Sequence, residues 1–204
     1  MKKTLSIIFG LVAWFAVIVQ YYLMMENRVA SIAETTIRFF SFFTILTNSL
    51  VAIYFTLIIF KIKNGWFAIA DKPGTLTALT VYITIVGLVY QILLRHVWQP
   101  EGLQMIVDEL LHSLIPVAVI IYWYMYENKS LVSYKQITNW LIYPLMYLIY
   151  ILIRGNFSGF YPYPFINVIN LGITKVLINS VLLIALFTGL SALFIRIGRA
   201  VKNK

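Results

Sequence analysis

Apolar runs of membrane-crossing length recur six times along the chain, at about 5–25, 39–60, 76–94, 104–126, 138–154 and 171–195. A helix needs roughly 20 apolar residues to cross the hydrocarbon core. The pattern therefore predicts an all-α polytopic membrane protein, a six-helix bundle forming one domain over 1–204. Breakers stand between the runs. Asp71-Lys72-Pro73-Gly74 separates the second and third, Gln99-Pro100-Glu101-Gly102 the third and fourth, and Pro162 and Pro164 precede the sixth. The start, Met1-Lys2-Lys3 before an apolar run, has the look of a signal peptide. The run to Met25 is longer than the roughly 7–15 residues of a signal core, so it reads as a retained first span.

The polar positions inside these runs gather near one end. Arg38, Ser41, Thr44, Thr47 and Asn48 open span two. Thr44 and Asn48 are four apart and share a helix face. Span three ends with Gln91, Arg95 and His96, and span four begins with Asp108, Glu109, His112 and Ser113. Asp108 and His112 are i,i+4, whereas Glu109 and His112 are i,i+3. Span five carries Tyr143, Tyr147, Tyr150 and Arg154, and span six starts with Lys175 and Asn179. A polar group in hydrocarbon is costly, so polar groups collected at one depth mark a candidate site. The bland readings are specific too. Ser and Thr in membrane helices commonly bond their own i−4 carbonyl. Arg and Lys near span ends snorkel to the interface. The tyrosines serve as packing, and Trp66, Trp98, Trp123 and Trp140 as interfacial belts. Carboxylates at this depth are unfavourable alone, so at least two of the cations are expected to pair with Asp108 or Glu109.

Charge sets the expected orientation. Lys2, Lys3, Lys61, Lys63, Lys72, Lys129, Lys135, Arg196, Arg199, Lys202 and Lys204 fall on the side of the two termini, against Arg28, Arg38, Arg95, Arg154 and Lys175 opposite. Positive loops stay in the cytoplasm, which predicts a plasma-membrane protein with both termini cytoplasmic and the polar cluster in the outer half. Hydrophobic residues make up 61% of the chain and charged residues 11%, a balance that excludes an ordinary soluble domain. The net charge of +9 is spread by loop rather than gathered into a stripe, so no nucleic acid is expected as partner. The absence of cysteine excludes thiolate chemistry. Glu109-x-x-His112 has the spacing of di-metal carboxylate bundles, but there is no second copy; neither a metal nor another cofactor is expected. Nothing in the sequence sets an oligomeric state.

The segment Phe39-Phe40-Ser41-Phe42-Phe43-Thr44-Ile45-Leu46-Thr47-Asn48 resembles the second span of the androgen-induced / androgen-dependent TFPI-regulating protein family, whose bacterial branch consists of six-pass membrane proteins. Leu111-His112-Ser113-Leu114-Ile115-Pro116, Tyr143-Pro144, and Leu152-Ile153-Arg154-Gly155 followed by Tyr161-Pro162-Tyr163-Pro164-Phe165 extend the resemblance in the same order over residues 38–165. Animal members are membrane threonine hydrolases of fatty acid esters of hydroxy fatty acids. The resemblance implies Thr44 as nucleophile, with Thr47 second in register, and His112 as the histidine.

The residues accommodate that chemistry. A threonine nucleophile needs a base and an oxyanion donor. His112 is the candidate base, with Asp108 or Glu109 to orient it. Asn48 and the arginines are candidate oxyanion donors. Arg38, Arg95, Arg154 and Lys175 suit a carboxylate or phosphate headgroup. The expected partner is therefore a membrane lipid or amphiphilic ester. The competing function is a non-enzymatic lipid or small-amphiphile binder or transporter using the same pocket. A carrier built on paired repeats has no counterpart here, and a channel would need a polar stripe through the inner half, which is apolar.

Overall fold

The computed structural model describes residues 1–62 and 65–202, apart from the side chains of Trp66 and Lys202. Lys63 and Lys204 of the charge count lie outside the described residues, as do the side chains of Trp66 and Lys202. All regular structure among the described residues is helical. The main helices are α1 (Lys2–Glu26), α2 (Ile32–Phe39), α3 (Phe43–Phe60), α4 (Thr75–Val89), α5 (Gly102–Glu109), α6 (Ile115–Tyr126), α7 (Ile137–Trp140), α8 (Ile142–Ser158) and α9 (Val168–Lys202). Six continuous segments are long and apolar enough to cross a membrane: α1, α3, α4 with its extension, α5 through α6, α7 with α8, and α9.

Several boundaries differ from the sequence expectation, among them the ends of spans five and six at Ser158 and Lys202. One difference matters for chemistry. Span two does not begin at residue 39. Residues 32–39 form the separate amphipathic helix α2, opened by Ser31, whose hydroxyl accepts from the Glu34 N–H at 3.2 Å. The chain then turns through Phe40 to Phe42, and α3 starts at Phe43. Ser41 and Arg38 therefore precede the membrane helix, and Thr44 stands in its first turn. Span six starts earlier than expected, with a break at Gly172, where φ is 74° and ψ is 157°.

The packing places α3 and α4 in the middle of the bundle and leaves α8 and α9 far more exposed. α1 lies along α3, and α4 packs on both α6 and α9. Gly87 lets α4 come close to the fourth span. A Cβ at this position would stand 3.1 Å from the His112 carbonyl oxygen and 3.4 Å from the Pro116 ring.

Both helices that meet there are locally widened. Tyr90–Leu94 extends α4 as a π turn, and Leu110–Leu114 joins α5 to α6 as another. Pro116 accounts for the second. It has no N–H for the His112 carbonyl, and its ring would clash with that carbonyl in a regular helix. The backbone escapes by an i→i+5 bond, with the Ile115 N–H donating to the Leu110 oxygen. Such turns recur at functional sites, and His112 is at the centre of this one.

Candidate functional site

Thr44 and Thr47, in the first turns of α3, differ from several other hydroxyls in the bundle. Thr56, Thr80, Thr84, Ser180 and Ser191 each donate to their own i−4 carbonyl at 2.6–2.8 Å. Thr44 and Thr47 reach across to other segments instead. The Thr47 hydroxyl meets the Tyr143 hydroxyl at 3.1 Å. The Thr44 hydroxyl meets the Tyr163 hydroxyl at 3.3 Å, and the Thr44 N–H donates to the same oxygen at 3.2 Å.

That second contact solves a local problem. The first N–H groups of a helix lack intrahelical partners, and Phe42 at the start of α3 offers no side-chain cap. Tyr163 serves as the cap from outside the helix. It is carried by the segment between α8 and α9, which folds back into the bundle. α8 ends on Gly159 in the left-handed region. Gly155 leaves room for the Tyr161 ring, which any Cβ there would strike. A 3-10 turn over Pro164–Ile166 follows, and the Asn179 amide donates to the Phe165 carbonyl at 2.8 Å. Burial pushes the Tyr163 phenol above its ordinary range, so it stays protonated.

The tyrosine ladder of span five completes the seal around the start of α3. The Tyr147 hydroxyl donates to the Ser41 carbonyl at 2.8 Å, and the Tyr150 hydroxyl meets the Ser41 hydroxyl at 3.2 Å. These rings do more than pack.

A cavity of about 80 Å³ opens beside Thr44, lined by α3, α4, α8, α9 and the Tyr163 segment. Thr44, Tyr147, Tyr163 and Ser180 are its polar residues. The Ser180 hydroxyl is committed to Val176. Of the two candidate threonines, Thr44 lines the cavity and Thr47 does not.

His112 forms a second cluster. Its Nδ1 lies 2.9 Å from the Asp108 carbonyl and 3.4 Å from an Asp108 carboxylate oxygen. Its ring stacks on Tyr90 with centroids 4.1 Å apart and planes 15° from parallel. The Nε2 atom has no hydrogen-bond partner among the described residues. Glu109 turns away from the histidine, pairing with Arg95 and accepting from the Ser113 hydroxyl at 2.6 Å. Asp108, rather than Glu109, is thus the carboxylate beside His112, whose ring hydrogen bond itself goes to the Asp108 backbone carbonyl. The other Asp108 carboxylate oxygen is buried and without a partner among the described residues.

Asn48 ties the two clusters together. Its amide donates to the Thr44 carbonyl at 2.9 Å and to the Leu111 carbonyl at 3.3 Å. Both N–H groups are then occupied, so in this state Asn48 is a clamp and not a free oxyanion donor. Thr44 and His112 stand on the two helices that this amide joins. No hydrogen bond links their side chains, and His112 does not line the cavity.

The cations divide differently from expectation. Among the described residues, Arg95 alone of the cations pairs with Glu109, and none pairs with Asp108. Arg38 and Arg154 both bind Glu34, at 2.7 and 2.8 Å. The physical reason is the break before α3. It leaves Arg38 one turn beyond Glu34 on α2, and α8 brings Arg154 to the same carboxylate. Phe160 lies under both guanidinium groups, 4.7 and 5.1 Å from its ring centre. Lys175 is exposed. His96 is exposed as well.

Glu34 was not singled out from the sequence because it lies before the apolar run. The Arg38 hydrogen bond, aided by Arg154, holds its carboxyl below the ordinary value of 4.5. A depressed folded-state value means the stabilisation is present above that ordinary value and is lost as pH falls through the lower one. The pair is partly exposed, so the effect is small. Glu34→Gln should lower the melting temperature by about 2 °C at neutral pH, with the gap closing as pH falls below the ordinary carboxylate value. A gap independent of pH would contradict this.

Comparison of the chain with family models, with curated proteins and with solved structures finds no match.

Proposed function

We propose that this chain is a multi-pass plasma-membrane hydrolase of lipid esters, of the bacterial branch of the androgen-induced / androgen-dependent TFPI-regulating protein family. Six crossings with the observed loop charges favour both termini in the cytoplasm and the site in the outer leaflet. The observation that carries the reading is Thr44. It presents a hydroxyl, at the start of a helix, on the wall of an otherwise apolar cavity open to an amphiphile.

In this reading the Thr44 oxygen attacks the ester carbonyl and its proton passes to His112 Nε2. The tetrahedral intermediate expels the alcohol, which takes the proton from His112. Water, deprotonated by His112, then releases the acyl group from Thr44. Asp108 fixes the imidazole through Nδ1, as the third member of a triad does. The Tyr163 phenol and the positive end of α3 suit the oxyanion. Substrate entry must close the gap between Thr44 and His112. Catalytic hydrogen bonds are often long before substrate binds, and the Asn48 clamp keeps the two helices in register for it.

A fluorophosphonate probe tests this directly. The purified protein should be labelled at Thr44, and Thr44→Ala should lose the label while keeping its melting temperature. Labelling that persists in Thr44→Ala, or maps to another residue, overturns the assignment. One observation favours the second reading, a lipid binder or transporter: His112 stands outside the cavity. That reading requires Thr44→Ala to bind amphiphiles as the parent protein does, with no turnover in either.

A further inference from the structure

Phe43 and Phe187 line the cavity beside Thr44. They belong to a closed circuit of four aromatic rings that Tyr143 and Tyr82 back from outside the lining: Phe43 to Tyr143 at 5.1 Å, Tyr143 to Tyr82 at 4.9 Å, Tyr82 to Phe187 at 6.2 Å, and Phe187 back to Phe43 at 5.9 Å. Two of the four are pinned by hydrogen bonds. The Tyr143 hydroxyl meets Thr47, and the Tyr82 hydroxyl donates to the Trp140 carbonyl at 2.6 Å. Phe43 is fixed by its neighbour Thr44 and by the start of α3. Phe187 has no such anchor. It reaches in from α9, two helical turns or about 10 Å beyond Ser180 on the same wall.

The sides of the cavity are apolar. Leu148 on α8 and Leu183 and Ile184 on α9 are half-buried, where these two more exposed helices meet. An amphiphile entering there from the bilayer would pass Leu148 and Ile184 and lie against the Thr44 hydroxyl. No charged side chain lines the wall to pair with an ionic headgroup. The part of the substrate that fits is a hydrocarbon chain, and its length is limited by the Phe43 and Phe187 rings.

Taking the hydrolase reading as its basis, we propose that this cavity is the acyl pocket and that Phe187 sets the length of chain it accepts. At about 80 Å³ the pocket is roughly half the size of the 150 Å³ apolar cavity that holds a benzene ring. The pocket is therefore matched to a short acyl group. Truncating Phe187 opens the space toward Phe43 on α3 and Tyr82 on α4 while leaving Thr44, Tyr163 and His112 unchanged.

The test is a series of p-nitrophenyl esters from acetate to laurate, presented in detergent micelles to the purified full-length protein. The parent protein should favour the short members. Phe187→Ala should shift the ratio of kcat/KM for decanoate over butyrate upward by about tenfold or more, the scale on which hydrophobic pockets discriminate chain length. Ile184→Phe, which narrows the entry side, should shift the ratio the other way. Phe187→Leu serves where Phe187→Ala does not fold, with a smaller shift in the same direction. An unchanged ratio in folded Phe187 variants overturns the ruler. A parent protein that turns over no ester, or a Thr44→Ala variant that turns them over undiminished, instead overturns the hydrolase reading itself, so the two failures are distinguishable.

Discussion

Replacing His112 with alanine is expected to slow ester turnover by a factor of about 10²–10⁴, the range supplied by a positioned general base. The expectation rests on how fully the surrounding structure fixes one ring. Asp108 holds Nδ1, Tyr90 covers a face, and Nε2 has no partner among the described residues. A histidine kept only for packing would not need its second nitrogen free. His112→Gln keeps much of the volume, and it should fall as far in kcat while retaining most of the stability. Asp108→Asn should retain the fold and lose a smaller part of kcat, because the ring loses its orienting charge and not its base. The measurement is kcat/KM on a short-chain ester alongside the melting temperature in detergent. Turnover that survives in a folded His112→Gln protein removes His112 from the mechanism.

The number and order of the long apolar helices were legible in the sequence because hydropathy determines them, and their ends were less so. The pairing of Asp108 with His112 was legible from i,i+4 spacing, and the sharing of a face by Thr44 and Asn48 likewise. Spacing left Asp108 and Glu109 equivalent. The π turn advances each residue by a smaller angle than a regular helix does, which shifts the faces on either side of it, and Glu109 bonds Arg95 and Ser113 instead. Pro116, four residues after His112, was the available signal for that turn. The start of α3 was hidden because Phe39 to Phe43 is apolar but for Ser41, and a break inside such a run leaves little mark in hydropathy. The consequence was large. It moved Thr44 to a helix terminus and Arg38 to a different helix, with Glu34 as its partner. Tyr163 was visible as part of the Tyr161-to-Phe165 block. Its contact with Thr44 joins residues 119 apart, and no local pattern encodes such a contact.

Tyr163→Phe is expected to lower kcat/KM, and the rate of fluorophosphonate labelling, by about 10²–10³, the loss found when one oxyanion-hole donor is removed. The substitution keeps the ring that stacks on Phe165 at 5.2 Å and packs against Phe42. It removes one oxygen, the one that both Thr44 groups contact. Two roles for that oxygen make different demands. As a helix cap alone it satisfies the Thr44 N–H, and its loss costs about 1–3 kcal/mol of stability through an orphaned buried donor. As a catalytic donor it also supports the charge that develops beside Thr44 during attack. Burial keeps the phenol protonated, so it can donate to an oxyanion and cannot compete with His112 as base. The decisive quantity is the rate per folded molecule. A Tyr163→Phe protein that melts lower but labels at the parent rate assigns the hydroxyl to capping. One that labels a hundredfold more slowly with a modest change in melting assigns it to the chemistry, and places the fold-back segment between α8 and α9 in the active site together with α3 and the fourth span.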